Sequence, residues 1–248
     1  SACDAPEPAA KADAAAAVTA ATVAPSAAPT VSAAATPPAP AEPKQPVICG
    51  KEPQVTFEDA TLERMVRVQL AKPEGPIARA DLKRVKTLNL SEAPRNDALD
   101  PCLIPEFKGV KGLYLAPGKL DDLAPIKGLT ALESLRVSAT LVRDISPLAG
   151  LIKLDRIDLG RTPVSDLSPL AGLTNLTELQ IDDTEVTDLS PLAKLTKLEV
   201  LLMKRTRVSD LSPLANLRNL KNLYIEGSLV QDVSAVSGIP GLKIHQGS

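Results

Sequence analysis

Six leucines stand 22 residues apart, at Leu132, Leu154, Leu176, Leu198, Leu220 and Leu242. The same interval carries Leu135, Ile157, Leu179, Leu201 and Leu223, then Val137, Leu159, Ile181, Met203 and Ile225, then Val142, Val164, Val186, Val208 and Val230. It extends backwards through Val110, Leu113, Leu115, Leu120 and Leu123. A unit of this size cannot bury its apolar face alone, so successive units must stack as turns of one coil around a continuous core. Apolar residues make up 44% of the chain, enough to fill such a core.

Each stretch of the unit has a physical assignment. The apolar–polar–apolar triplet, for example Leu179 to Ile181, alternates like a strand, and stacked turns then form one parallel sheet with alternate side chains outward. Thr140, Thr162, Thr184, Thr206 and Ser228 follow the strand, where a hydroxyl is expected to bond the backbone of a neighbouring coil. In "DLSPL", Ser168 before Pro169 is expected to cap a short helical turn with its oxygen. Asp122, Asp144, Asp166, Asp188, Asp210 and Asp232 recur once per turn. Stacked carboxylates can attract calcium, but the stronger reading is that each accepts backbone N–H groups of its own turn.

Written out, the unit is LxxLxLxxTxVxDLSPLxxLxx, and it resembles the leucine-rich repeat. Its short back and 22-residue period are similar to the internalin-type repeats of bacterial surface proteins. The preceding segment extends the likeness. Thr56 and Asp59 have capping-box spacing, Leu62, Met65, Val66 and Leu70 share one helical face, and a second helical stretch near Ala80 leads into "VKTLNL". The resemblance covers about residues 47–244 and implies an α/β solenoid: a right-handed coil with a parallel concave β-sheet, short 3-10 turns on the convex side and a small helical N-terminal cap. It also implies protein recognition on the concave face. The chain departs from the pattern after Ile225, with one degenerate turn, and at residues 91–106, which stretch the first repeat to 25 residues.

Three regions follow. Residues 1–46, Ala- and Pro-rich with almost no large apolar side chain, read as a disordered tether, with a marginal helix over residues 9–24 as the competing reading. Residues 47–81 form the cap, and residues 82–248 about seven repeats. The tether carries Asp4, Glu7, Asp13 and Glu42 against Lys11 and Lys44, which leaves the remainder with 26 acids and 26 bases. A neutral domain without a basic stripe excludes nucleic acid as a partner class.

"SACD" resembles the end of a bacterial lipobox, with Cys3 as the lipidated residue. That reading places the chain in the cell envelope, lipid-anchored in the periplasm or at the cell surface. Cys49 and Cys102 would then sit in an oxidising space and pair, the alternative being two buried thiols. Catalysis finds no support: the one His, His245, lies beyond the last regular turn, and the sequence has no Gly-rich phosphate loop and no metal-spaced Cys/His set. No cofactor and no metal is expected.

The letters that vary between repeats fall mostly on the outward face. A middle column runs Asn89, Tyr114, Arg136, Asp158, Gln180, Leu202 and Tyr224; the column before it runs Thr87, Gly112, Ser134, Arg156, Glu178, Val200 and Asn222. The column after it ends in Asp182, Lys204 and Glu226, flanked by Arg161, Asp183 and Arg205. Val200, Leu202 and Tyr224 put apolar surface where water is expected, and Tyr and Arg are over-represented at binding hot spots. The expected partner-binding set is thus Tyr114, Arg136, Arg156, Asp158, Arg161, Glu178, Gln180, Asp182, Val200, Leu202, Lys204, Arg205, Tyr224 and Glu226. The protein is expected to be a monomer by itself, recognising a protein partner and meeting the membrane only through its lipid. The competing reading is an assembly component of an envelope complex that docks through its C-terminal edge at Leu229, Val236 or Ile239.

Overall fold

The computed structural model describes residues 48–92 and 97–247. Residues 1–47, on which the expected tether and the lipidation of Cys3 fall, lie outside the described residues.

The chain opens with a two-residue strand β1 (Gln54–Val55) antiparallel to β2 (Ile77–Ala78), with helix α1 (Ala60–Leu70) between them. Asp59 itself caps α1, its carboxylate accepting the N–H groups of Thr61 at 2.7 Å and Leu62 at 3.2 Å. The capping box expected from Thr56 does not form, because the helix begins one turn later than that spacing requires. Leu62, Val66 and Leu70 bury the inner face. At the other end Ala71 turns left-handed (φ 52°) and Pro73 follows, which a helix cannot accommodate in its interior.

Eight strands then form one parallel sheet in chain order: β3 (Thr87–Leu90), β4 (Gly112–Leu115), β5 (Ser134–Arg136), β6 (Arg156–Asp158), β7 (Glu178–Gln180), β8 (Val200–Leu202), β9 (Asn222–Tyr224) and β10 (Lys243–His245). The register from β4 to β9 steps by 22 residues and from β3 to β4 by 25, as the insertion requires. Between β9 and β10 it steps by 21, pairing Tyr224 with His245. His245 therefore belongs to the stack, correcting its placement beyond the last turn. The loss of one residue rotates it from the inward position a strict 22-residue count would give it to the outward one.

Each turn closes with a 3-10 segment on the back, such as Ser168–Leu170 or Ser190–Leu192. The carboxylate two residues earlier supports it: Asp122, Asp144, Asp166, Asp188, Asp210 and Asp232 each accept the amide of residue i+2 at 2.7 or 2.8 Å. This is the local role expected of the Asp column. It also displaces the expected Ser cap, since Ser168 and its counterparts are the first residues of the turn and their hydroxyls cap nothing there. The ladder threonines likewise act within their own coil. Thr140, Thr162, Thr184 and Thr206 are buried and donate to the carbonyl three residues back, at 2.6 to 2.8 Å, not to the neighbouring coil.

The core runs the length of the stack. Leu132, Leu154, Leu176, Leu198 and Leu220 are all fully buried, and so are Val137, Leu159, Ile181 and Met203. A bond between Cys49 and Cys102, with Cα atoms 5.3 Å apart, ties the chain before β1 to the insertion after β3. Among the described residues no helix is long and apolar enough to cross a membrane.

Candidate functional site on the sheet face

The register places the outward side chains in the columns read from the sequence. Arg156, Glu178 and Val200 are neighbours on successive strands, and so are Tyr114, Arg136, Asp158, Gln180, Leu202 and Tyr224. His245 extends the middle column by one place.

Two clusters divide this face. The first is polar and spans β4 to β7. Arg136 Nε lies 3.2 Å from Asp158 Oδ2, and Asp158 Oδ1 accepts the Gly160 amide at 3.0 Å. Arg156 is exposed and leans towards Asp155 at 3.5 Å. Tyr114 folds across the strand start at Gly112: a Cβ there would lie 3.0 Å from its ring, so glycine is what admits the ring. With Glu178 and Gln180 these residues border a depression of about 190 Å³. That is below the 300 to 1,000 Å³ usual for small-molecule sites, so the surface suits contact with a larger partner. A larger depression, about 640 Å³, lies on the outer face of α1 around Val68 and shares no residue with the sheet.

The second cluster spans β8 to β10 and is more apolar. Val200, Leu202 and Tyr224 are half-buried. The Tyr224 and His245 rings stack with centroids 4.1 Å apart and planes 8° from parallel. Lys204 Nζ sits 4.9 Å from the Tyr224 centroid and 3.3 Å from Glu226 Oε1, a cation placed between a ring face and a carboxylate. Glu226 Oε2 and His245 Nε2 are buried and find no hydrogen-bond partner among the described residues. Asp182 joins the clusters: it is 9% exposed, its Oδ1 accepts the Lys204 amide at 2.7 Å, and its Oδ2 accepts from Gln180 Nε2 at 3.2 Å. Burial pushes its pKa up, against the Lys204 amide and the Lys204 and Arg205 charges, which pull it down.

The site residues are not one contiguous patch. Tyr114 and Tyr224 are five strands apart, about 24 Å at the usual strand spacing. Arg161 and Arg205 leave the sheet face altogether. With Ala139 and Asp183 they occupy the third residue after each strand end, all at φ between 51° and 56°, in the column that Gly227 completes. The sequence reading missed this left-handed column, for which Gly227 was the one visible signal. It also missed His245, for which the residue count of the last turn was the signal.

A parallel sheet built one strand per turn, with 3-10 turns behind it, is a leucine-rich repeat solenoid. Internalin C2 from Listeria monocytogenes is similar over 77% of this chain and 94% of its own, at 30% identity and a TM-score of 0.64. The chain belongs to the internalin-type leucine-rich repeat proteins. The internalin InlF of the same organism is 27% identical, with a TM-score of 0.68 over 76% of this chain and 56% of its own length. A leucine-rich repeat protein of Leptospira interrogans, 18% identical with a TM-score of 0.54 over 66% of this chain and 50% of its own, shares the fold. No protein-family model and no curated protein matches the sequence.

Proposed function

We propose that this chain is a non-enzymatic recognition module that binds a partner protein on its concave sheet face. One observation carries the reading: Leu202, Tyr224 and His245 form a half-buried apolar and aromatic strip on a face whose other outward residues are mostly polar or charged, with a cation held over its ring. Aromatic anchors ringed by polar groups are the anatomy of binding hot spots. Asp158, Asp182 and Glu226 of this face are engaged in ion pairs or amide bonds, an arrangement that fixes a surface.

Display outside the cytoplasm, in a bacterial envelope and through a lipid on Cys3, is part of the same proposal. The Cys49–Cys102 bond supports it, since disulfides persist in oxidising compartments. Lipid labelling and intact mass, compared with Cys3→Ser, test the anchor: a diacylglycerol adduct lost on substitution supports it, and an unmodified Cys3 refutes it.

The binding face is tested by quantitative capture from surface extracts. A protein held by the wild type should be lost by the triple variant Arg136→Ala/Leu202→Ala/Tyr224→Ala and kept by Leu229→Asp. The reverse pattern would favour docking through the C-terminal edge. For that comparison Leu229, 59% exposed, replaces Val236 and Ile239, which are buried, so that charge there would disrupt the last turn and report nothing about docking.

A further inference from the structure

The flank just beyond the strand ends carries a second surface. Four bases line it, Arg143, Arg161, Arg205 and Arg207, against the carboxylates of Asp183 and Glu185, in a groove of about 610 Å³. All four bases are arginines, the side chain whose planar fork matches a carboxylate in two parallel bonds. The domain as a whole, with 26 acids and 26 bases after residue 46, is neutral, so this excess is local.

Two of the arginines are occupied. Arg205 grips Asp183 with both Nε and Nη2, and Arg143 lies 3.5 Å from Glu185. Among the described residues Arg161 and Arg207, both exposed, have no ion-pair partner. The occupied pair acts as a scaffold. The Asp183 bridge lays Arg205 across Gly227, where a Cβ would meet the arginine stem at 2.9 Å, and so fixes its guanidinium along the groove.

The backbone supplies an independent observation. Arg161 and Arg205 sit at φ 56° and 51°, a conformation costly for any residue with a Cβ and free for glycine. Ala139 and Asp183 share this φ, so the repeat backbone itself presents Arg161 and Arg205 at equivalent places two turns apart. Along the stack these two turns are about 10 Å apart, between the roughly 7 and 13 Å that separate same-side residues i, i+2 and i, i+4 of an extended peptide, a difference the long arginine side chains can span. Leu141, 54% exposed, and Pro163 give the groove an apolar end.

We propose that this flank binds an extended acidic segment of the partner protein, with two or more carboxylates on Arg161 and Arg207 and an apolar side chain on Leu141. The inference rests on the protein-recognition reading and specifies what the partner presents at the rim.

The test uses the whole chain and a fluorescein-labelled twelve-residue peptide with alternating Glu and one Leu, read by fluorescence anisotropy. Binding is expected, lost at least tenfold when every Glu is Gln. Arg161→Gln/Arg207→Gln should weaken it tenfold or more, and Arg161→Lys/Arg207→Lys, which keeps charge but loses the fork, three- to fivefold. Circular dichroism of each variant verifies the fold. Failure of the Glu peptide to bind, equal binding of its Gln form, unchanged binding by the Gln variant, or equal competition by inorganic polyphosphate overturns the proposal. The concave triple variant should bind this peptide normally, so failure of the flank and failure of the concave reading are distinguished.

Discussion

At the first strand of the sheet the open edge is covered, whereas at the last no described residue covers it. Gln69 from α1 accepts the amides of Lys86 and Thr87 at 2.9 and 3.1 Å and donates to the Thr87 carbonyl, and Met65 Sδ accepts the Asn89 amide at 3.0 Å. A side chain thus pairs the edge of β3 as a neighbouring strand would. At the far end β10 closes the sheet, and Val230, Val233, Leu242 and Ile244 are half-buried where Val208, Leu211, Leu220 and Leu223 one turn earlier are fully buried or nearly so. In a stack whose turns touch only their neighbours, stability then grades along the axis. The apolar half of the binding strip lies on the looser end.

The largest expected effect separates inner from terminal turns. Leu179→Ala should cost about 3–5 kcal/mol and Ile244→Ala about 1–2 kcal/mol by denaturant unfolding, because a half-buried side chain has less contact to lose. Equal costs would remove the gradient. At the covered end, Cys49→Ser/Cys102→Ser opens a loop with a sequence separation of 53 and is expected to cost up to about 4 kcal/mol. Its thermal unfolding should lose the cap before the repeats.

Asp59→Ala removes the α1 cap and should cost about 1 kcal/mol, detected as faster amide exchange in the cap. The Asp ladder sets an acid limit. Hydrogen bonds from the following serine, hydroxyl first and then amide, hold the Asp166, Asp188 and Asp210 carboxyls below their usual range; at Asp232 the amide contributes most. A lowered folded pKa gives stability that is full above the unfolded value near 3.9 and lost as pH falls through the folded one. Asp182, raised by burial, has the opposite sign. Thermal midpoints should therefore fall below about pH 4, and Asp188→Ala/Asp210→Ala should flatten that fall. The smallest effect is a gain: Arg161→Gly relieves a left-handed residue and should add about 0.5–1 kcal/mol by denaturant unfolding.

Periodicity carried most of the fold, because one residue in each inner turn obeys one geometry: the core leucines, the strand columns and the 25-residue first step all follow from counting. What it missed is where the period breaks or where backbone dihedrals decide. His245 reached the face through a 21-residue step. The Ser and Asp of each turn are both plausible caps by composition, and only the backbone shows that Asp precedes the turn while Ser lies within it. The left-handed column escaped notice because four of its five members are not glycine. The half of the site on β8 and β9 was legible as apolar letters at outward positions, but its ring stack was not.

Hydroxyl-radical footprinting of the chain alone and with a captured partner tests the concave reading most directly. The expected result is loss of side-chain oxidation at Leu202, Tyr224 and His245 on binding, with exposed Val68 and Leu229 unchanged. Protection of Leu229 with Tyr224 still oxidised would contradict it and move the interface to the open end of the stack.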